Sequence, residues 1–286
     1  MAKLIYGIIG HPVKHSLSPV MHNAAFKELG IDADYFLYDV RPEELNDFLD
    51  DLPVKRISGL NVTIPHKIRT KEYLELRGSL DDNAARLGAV NTIKVLEDGS
   101  LRGFNTDGAG FYRSLVEDLG FEPEGRNIFV FGAGGAAKAI VMYLGNGPAK
   151  ISIFDIDREK AKTLAEHYRK YFDPNKLDLI TEEDRVGPAI EKSDLLINAT
   201  PIGMKENDPS PVSKELFHDG LRVYDLVYNR PVTRLVRDAN SSKLRAVTGI
   251  GMLLYQGAIA FEIWTGKKAP VAVMRKALKE ALKTRR

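Results

Sequence analysis

Short apolar runs alternate along the first third of the chain with longer segments of helical periodicity. Four runs are rich in β-branched and aromatic residues and predict strands, and two amphipathic segments predict helices. The predicted strands are "LIYGIIG" (4–10), "DYFLYDV" (34–40), "RISGLNVTI" (56–64) and "AVNTIKVL" (89–96). The predicted helices are residues 19–30 and 42–52. This alternation is typical of βαβ units and predicts a mainly parallel sheet.

The helix predicted at residue 19 carries clear terminal signals. Ser18 precedes it as a candidate N-cap, and Pro19 suits the first helical position. Gly30 suits the C-terminal stop. These signals predict a helix that begins directly after Ser18.

A second βαβ series follows the polar, turn-rich segment "EPEGRN" (122–127). Its pattern predicts strand, glycine turn and helix over 128–145, followed by further strands at 150–157, 193–200 and 221–228 and a helix at 158–172. The chain from Met252 onward has a helical pattern, broken near Gly266 and Pro270. The fold class is therefore α/β with two lobes, each built around a mainly parallel sheet.

The composition limits the classes of molecule that the protein is expected to bind. The 286 residues include 41 Lys and Arg and 39 Asp and Glu, spread without long runs of one sign, which argues against nucleic acid and favours a small-molecule substrate. The chain has no cysteine, no signal-peptide pattern and no apolar run of transmembrane length. We expect a cytoplasmic protein that does not bind membranes, as a monomer or a homodimer.

A glycine-rich turn carries the most specific motif. "FGAGGAAK" (131–138) follows a predicted strand and opens a helix, so that Gly132, Gly134 and Ala137 fall in the G-x-G-x-x-G/A arrangement. The first glycine permits the tight turn, the second allows a pyrophosphate to approach the backbone, and the small third residue allows close helix packing. Small residues also occur wherever a helix packs closely on a sheet. Asp155, at the end of the next predicted strand, favours dinucleotide binding over that alternative.

The same Asp155 bears on the choice between NAD and NADP. A carboxylate at this position can accept hydrogen bonds from the adenosine ribose hydroxyls and repels a 2′-phosphate, so NAD is favoured. Arg158 lies three residues further on. It is either an ordinary surface residue or a group around which the adenosine-side loop rearranges to accept NADP.

Polar residues follow the predicted strands of the first lobe. Thr63, Lys67 and Asn91 stand at such positions, and Asp107 lies where the chain crosses to the second lobe. We expect them to meet a substrate held between the lobes, with Lys67 and Asp107 as a proton-transfer pair. The alternatives are an ordinary surface lysine at a helix start and an aspartate that caps a helix.

Two hydroxyls precede the first helix. Ser16 and Ser18 in "HSLSP" form a candidate carboxylate site at a helix N-terminus, a role compatible with capping by Ser18. His11, His15 and His22 lie nearby, but no carboxylate accompanies them at ligand spacing, so we expect no metal.

Eight segments together resemble the shikimate dehydrogenase family, in order from Gly10 to Gly266. They are "GHPVKHSLSPVMHN", "GLNVTIPHK", "GAVNT", "GFNTDGAGF", "GAGGAAKA", "NATPIGM", "DLVYN" and "GIGMLLYQGAIAFEIWTG". The resemblance implies reversible, NAD(P)H-dependent reduction of 3-dehydroshikimate to shikimate in aromatic amino acid (chorismate) biosynthesis. Hydride passes to or from the nicotinamide while a lysine transfers the proton.

The resemblance implies a substrate-binding and catalytic domain over 1–107, completed by C-terminal helices at 251–286, and a Rossmann-type dinucleotide-binding domain over 108–250. It also implies roles for individual residues. Lys67 and Asp107 become the catalytic pair. The residues implied to bind substrate are Ser16, Ser18 and Tyr228 for the carboxylate, and Thr63, Asn91 and Gln256 for the ring hydroxyls. The residues implied to bind the dinucleotide are Gly132, Ala133, Gly134, Gly135, Ala136, Asp155, Arg158, Leu226 and Gly249.

The chain departs from the NADP-dependent family pattern after the second dinucleotide strand. That pattern has Asn-Arg-Thr, whereas this chain has Asp155, Ile156 and Asp157, as in NAD-using quinate/shikimate dehydrogenases of the wider family. Quinate catabolism is therefore the alternative function, although the Ser16 and Ser18 pair favours shikimate. A dinucleotide-binding sensor without activity is a third hypothesis, which the complete set of polar residues argues against.

Overall fold

The computed structural model describes residues 3–284, and these form two compact units. The first unit holds the described residues up to Thr106 and those from Leu254 onward, and the second holds Asp107–Leu253. The C-terminal helical segment therefore belongs with the N-terminal sheet.

Each unit contains a six-stranded sheet with helices. The strands are β1 Leu4–Gly10, β2 Ala33–Asp39, β3 Ile57–Val62, β4 Ser79–Leu80, β5 Thr92–Val95, β6 Leu101–Phe104, β7 Asn127–Phe131, β8 Lys150–Phe154, β9 Leu177–Leu179, β10 Leu195–Asn198, β11 Arg222–Asp225 and β12 Ala246–Thr248. The α-helices are α1 Ser18–Glu28, α2 Leu45–Asp50, α3 Lys67–Arg77, α4 Asp82–Leu87, α5 Asp107–Glu117, α6 Gly135–Leu144, α7 Arg158–Arg169, α8 Val186–Glu191, α9 Arg234–Ser241, α10 Ile250–Thr265 and α11 Val271–Thr284.

The first sheet has the order β2-β1-β3-β5-β6-β4. Strand β1 pairs in parallel with β2 and β3, as the alternation of strands and helices predicts. Strand β5 instead runs antiparallel to both β3 and β6. The start of β5 therefore lies beside the end of β3, which brings the polar segments around these two ends to one edge of the sheet.

Helices from the N-terminal and the C-terminal parts of the chain cover the core of the first unit. Helix α11 packs against α1. On α10, Trp264 stacks on Tyr6 with ring centroids 5.1 Å apart, and its indole N–H donates to the carbonyl oxygen of Ile93 at 2.8 Å. A Cβ at Gly59 would lie 2.5 Å from the same indole, so glycine is required for this close approach.

The second sheet has the order β12-β11-β10-β7-β8-β9, and all its strand pairs are parallel. Strand β7 is buried over its last four residues, as expected for a parallel strand covered on both faces. This is the doubly wound arrangement that the second βαβ series predicts. Three short elements of this unit were not predicted, because their sequences show no clear periodic pattern of apolar residues. They are β9, β12 and α8.

Helix α1 differs from its sequence prediction at one end. It begins at Ser18 itself, its N-cap position is Leu17, and no side chain caps it. The prediction of Ser18 as N-cap is therefore wrong. The predicted C-terminal stop is confirmed, because Leu29 follows the last helical residue and Gly30 has a φ of 61°.

Candidate active site

The loop after β1 places two hydroxyls together. The Ser16 hydroxyl donates to Ser18 Oγ at 3.2 Å, and the Ser18 backbone N–H donates to Ser16 Oγ at 3.2 Å. Ser18 is buried, whereas Ser16 is half-buried. Ser18 does not cap α1 because its side chain is directed into this hydroxyl pair.

The end of β3 leads through a tight turn to Lys67. The His66 N–H donates to the carbonyl oxygen of Thr63 at 2.9 Å, and α3 begins at the next residue, Lys67. The buried His66 ring holds this turn, since its Nε2 lies 2.7 Å from the carbonyl oxygen of Val40. Burial lowers the pKa of His66, which favours the neutral ring. Pro65 therefore lies in an exposed turn between β3 and a helix whose first residue is Lys67.

A buried polar network joins the ends of β3, β5 and β6. Asn61 is the register partner of Thr92, and Thr92 is the partner of Phe104. The Asn61 amide donates to Thr92 Oγ1 at 3.2 Å, and Thr92 Oγ1 donates to Asn91 Oδ1 at 3.0 Å. The antiparallel register of β5 thus places several amide and hydroxyl groups side by side.

Thr106 extends this network to the C-terminal helix. Its N–H donates to Asn91 Oδ1 at 2.9 Å, and its hydroxyl accepts from Asn91 Nδ2 at 2.9 Å. The Thr106 hydroxyl also lies 3.1 Å from the backbone carbonyl oxygen of Gln256 on α10. The structure therefore brings two predicted substrate residues, Asn91 and Gln256, to the same threonine.

Three residues of this network, Asn61, Thr92 and Thr106, were not predicted from the sequence. In the sequence, each of these residues stands beside a predicted site residue or within one of the family motifs, and this position is the feature that could have identified it. Asn61, Thr92 and Thr106 are each at most 2% exposed, and each is hydrogen-bonded within the network.

In the second unit, Asp107 is the first residue of α5 and is buried. Gly108 follows it where α5 meets α6, and a Cβ there would collide with Tyr143 and approach the carbonyl oxygen of Ala139. The glycine in "TDGAG" therefore serves close helix packing. It fixes the first turn of α5 and with it the position of Asp107.

The glycine turn has the geometry that a dinucleotide pyrophosphate requires. Gly132 has a φ of 100°, which favours glycine, and its N–H donates to the carbonyl oxygen of Phe154 at 2.8 Å. Gly134 caps α6, and a Cβ at Gly134 or Gly135 would meet no atom within 4 Å. Ala137 is fully buried against the sheet. Gly134 and Gly135 therefore leave open space at the N-terminus of α6, which fits a phosphate group.

Asp155 lies directly after β8 and is tied to the glycine turn. Its Oδ2 accepts the N–H of Ala133 at 2.7 Å, and its Oδ1 accepts the N–H of Asp157 at 2.8 Å. Asp157 caps α7, and the exposed Arg158 is the first residue of that helix. Both oxygens of Asp155 are thereby fixed at the carboxyl end of β8, the position of a ribose-binding carboxylate in this fold.

The loops after β11 and β12 contain the remaining predicted residues of this unit. The Leu226 N–H donates to the carbonyl oxygen of Asn198 at 2.9 Å. A Cβ at Gly249 would collide with the Leu226 carbonyl oxygen, so only glycine fits there. Tyr228 follows β11 and is 42% exposed.

Asn198 and Asp225 form a buried hydrogen-bonded pair at the ends of β10 and β11, and this pair was not predicted from the sequence. The Asn198 side-chain amide donates to Asp225 Oδ1 at 2.9 Å, and the Thr233 hydroxyl donates to Asp225 Oδ2 at 2.6 Å. Burial raises the pKa of Asp225, and the hydrogen bond from Thr233 opposes that shift. Asn198 lies in the motif "NATPIGM" and Asp225 lies in the motif "DLVYN". The motifs therefore include both residues, but they do not indicate that the two side chains are hydrogen-bonded to each other.

Two absences concern the described part of the chain. Among residues 3–284, no three His, Asp or Glu side chains are grouped so that they could hold a metal ion. Within the same range, no helix has the length and apolar character needed to cross a membrane.

Comparison with known proteins identifies the family. The model of the shikimate dehydrogenase substrate binding domain matches residues 8–93, and that of the shikimate 5'-dehydrogenase C-terminal domain matches residues 249–279. The chain is 45% identical over 282 residues to the shikimate dehydrogenase (NADP(+)) of Methanopyrus kandleri, covering 98% of this chain and 96% of that protein. This chain belongs to the shikimate dehydrogenase family.

Solved structures of the family have the same fold. A shikimate dehydrogenase in complex with NADP+ is 39% identical, with a TM-score of 0.89 and coverage of 98% of this chain and 96% of that one. The shikimate 5-dehydrogenase from Listeria monocytogenes, in complex with shikimate and NAD, is 34% identical, with a TM-score of 0.88 and coverage of 96% of both chains. The family resemblance and the α/β fold predicted from the sequence are confirmed. The protein is an NAD(P)-dependent oxidoreductase that acts on an alcohol group.

Proposed function

We propose that this member of the shikimate dehydrogenase family interconverts shikimate and 3-dehydroshikimate in aromatic amino acid biosynthesis. The observation that carries the proposal is the buried polar network at one edge of the first sheet, where Asn91, Thr106 and Gln256 converge. Such an array suits a small ligand with several hydroxyl groups. The family members named above act on shikimate or contain it.

Two groups of residues bind the substrate. The Ser16 and Ser18 hydroxyls, with Tyr228, bind the substrate carboxylate. Thr63, Asn91 and Gln256 bind or support the ring hydroxyls. The Ser16–Ser18 contact of 3.2 Å supports the first assignment, because it presents two hydroxyls at one point near the start of α1.

The proposal assigns proton transfer to Lys67, with Asp107 as its partner. The glycine turn over 132–136 would hold a dinucleotide whose nicotinamide would supply or accept the hydride at the substrate carbon. The Lys67 ammonium gives a proton to the carbonyl oxygen during reduction and takes it back from the alcohol during oxidation. The turn held by His66 supports this role, because it fixes the backbone from which the Lys67 side chain extends.

For the cofactor, the proposal is that the glycine turn over 132–136, Leu226 and Gly249 bind NAD or NADP, and that Asp155 favours NAD. Its two oxygens are each fixed by one backbone N–H, which orients its remaining lone pairs for ribose hydroxyls. Arg158 at the start of α7 is the candidate for a 2′-phosphate contact. Family members use either cofactor, since the Methanopyrus protein is named for NADP(+) and the Listeria structure contains NAD.

Initial rates of shikimate and quinate oxidation, each with NAD and with NADP, test the proposal on one purified preparation. We expect shikimate with NAD to give the highest rate. Faster oxidation of quinate would contradict the substrate assignment and favour the catabolic alternative. A higher rate with NADP would leave the substrate and Lys67 in place but contradict the role of Asp155.

Replacing Asp155 by asparagine is expected to shift the ratio of kcat/KM for NADP to that for NAD by about tenfold towards NADP. The change removes one negative charge from the site of the 2′-phosphate, and about 1.4 kcal/mol is a reasonable value for one partly solvated charge pair. Steady-state kinetics with both cofactors measures the ratio. The control is Asp178→Asn, which removes a carboxylate from β9 that pairs with Arg185 and should leave the ratio unchanged.

The cytoplasmic location and the monomeric or homodimeric state predicted from the sequence are also part of this proposal. Cell fractionation tests the location. Light scattering of the purified protein tests the oligomeric state.

A further inference from the structure

One buried tyrosine of the first unit is linked to the substrate residues but is not among them. Tyr35 lies on the edge strand β2, and its side chain reaches across β1 to β3. Its hydroxyl donates to Asn61 Oδ1 at 2.7 Å, and the residue is only 2% exposed. Core packing alone does not account for a buried hydroxyl group that is directed at the polar network of the first sheet.

The surroundings of Tyr35 fix its ring and keep its hydroxyl protonated. The ring stacks on the fully buried His22, with centroids 4.5 Å apart and planes 7° apart. Burial raises the pKa of Tyr35 well above its usual value, and hydrogen bonding with the Ser18 side chain opposes that shift. The phenol is therefore a constant donor near neutral pH, and it contacts the hydroxyl pair on one side and the amide network on the other.

The direction of each hydrogen bond follows from this donor. Because the Tyr35 hydroxyl donates to Asn61 Oδ1, the Asn61 amide nitrogen faces Thr92 and donates to its Oγ1. Thr92 must then use its own proton towards Asn91 Oδ1. Asn91 Oδ1 also accepts the Thr106 N–H, so the Asn91 amide nitrogen is the remaining donor group of this side chain, and it donates to Thr106 Oγ1 at 2.9 Å.

We infer that Tyr35 is a positioning residue that sets the orientation of the Asn91 amide and the Ser18 hydroxyl for substrate binding. The inference rests on the proposed function, because it names the group that orients two of its substrate residues. Tyr35 itself does not contact the reacting atoms. Its expected effect is on binding of the substrate, which depends on both oriented groups.

The test is Tyr35→Phe, which keeps the ring stacked on His22 and removes only the hydroxyl. We expect KM for shikimate to rise about three- to tenfold, the range for one lost hydrogen bond, with kcat changed less than about twofold and KM for the dinucleotide unchanged. The matched control is Tyr73→Phe, which removes a hydroxyl that donates to Asp50 Oδ1 at 2.6 Å in the same unit. An unchanged KM for shikimate, or an equal rise in the control, would overturn the inference.

Thr92→Val provides a second, independent test of the same chain of hydrogen bonds. Groups in one network are coupled, so the effects of Tyr35→Phe and Thr92→Val on KM should be less than additive in the double variant. Strict additivity would contradict a shared role. Side-chain amide resonances of Asn61 and Asn91 give a readout without activity, and we expect both to shift in Tyr35→Phe and neither to shift in Tyr73→Phe.

These measurements separate the inference from the proposed function. If the wild-type enzyme does not bind or oxidise shikimate, the proposed function fails and the inference fails with it. If the wild-type enzyme is active and the amide resonances and KM do not respond to Tyr35→Phe, only the inference fails.

Discussion

Replacing Lys67 by alanine is expected to lower kcat for shikimate oxidation by a factor of about 10² to 10⁴, the usual contribution of a positioned proton-transfer group. KM for shikimate should change little, because the proposed binding groups lie on other residues. Lys67 begins α3 directly after the turn that His66 holds, so truncating its side chain leaves the turn and the helix intact. Steady-state kinetics measures both constants.

Two variants give this prediction its controls. Lys71→Ala removes an ammonium group one helical turn further along α3, where the half-buried lysine pairs with the exposed Glu75. It should leave kcat within about twofold of the wild-type value, since ion pairs within one helix that are open to solvent contribute little free energy. Lys67→Arg keeps the positive charge on a group that does not give up its proton near neutral pH, so its kcat should also be low. Near-normal turnover of Lys67→Ala would contradict the assignment of Lys67.

The second large effect concerns acid stability, and it arises from His22. This ring is fully buried between aromatic side chains, and burial lowers its pKa to about 3 from 6.5. Between pH 6.5 and pH 3 the unfolded chain therefore binds a proton at this position that the folded protein does not bind. The free energy of unfolding must fall as the pH falls through this range, by about 2 kcal/mol between pH 7 and pH 5 from this residue alone.

Urea unfolding at pH 7 and pH 5 measures this loss. In His22→Phe, which keeps a ring against Tyr35, the loss between the two pH values should be smaller by about 2 kcal/mol. The control His15→Phe removes a solvent-exposed histidine and should keep the wild-type loss. Histidine proton resonances of the wild-type protein test the same point without a variant, since a His22 ring that titrates above pH 5 would contradict the prediction.

The sequence by itself determined the features that depend on neighbouring residues. The spacing of Gly132, Gly134 and Ala137 predicted the dinucleotide turn, because the strand, the turn and the helix follow one another directly along the chain. The φ of Gly132, the open space at Gly134 and the burial of Ala137 agree with that reading. The family was determined in the same way, by short motifs whose order alone is diagnostic.

Only the tertiary structure decided how the substrate residues are held. Asn61 and Thr92 are 31 positions apart and meet because β5 runs antiparallel to β3, a reversal that the alternating pattern did not predict. Ser18 is a good N-cap by residue type, yet its burial beside Ser16 and Tyr35 overrides that local preference. Local propensity acts over a few residues, whereas strand pairing and burial act between residues far apart in the sequence. The identity of the chemical groups could therefore be predicted from the sequence, and their orientation could not.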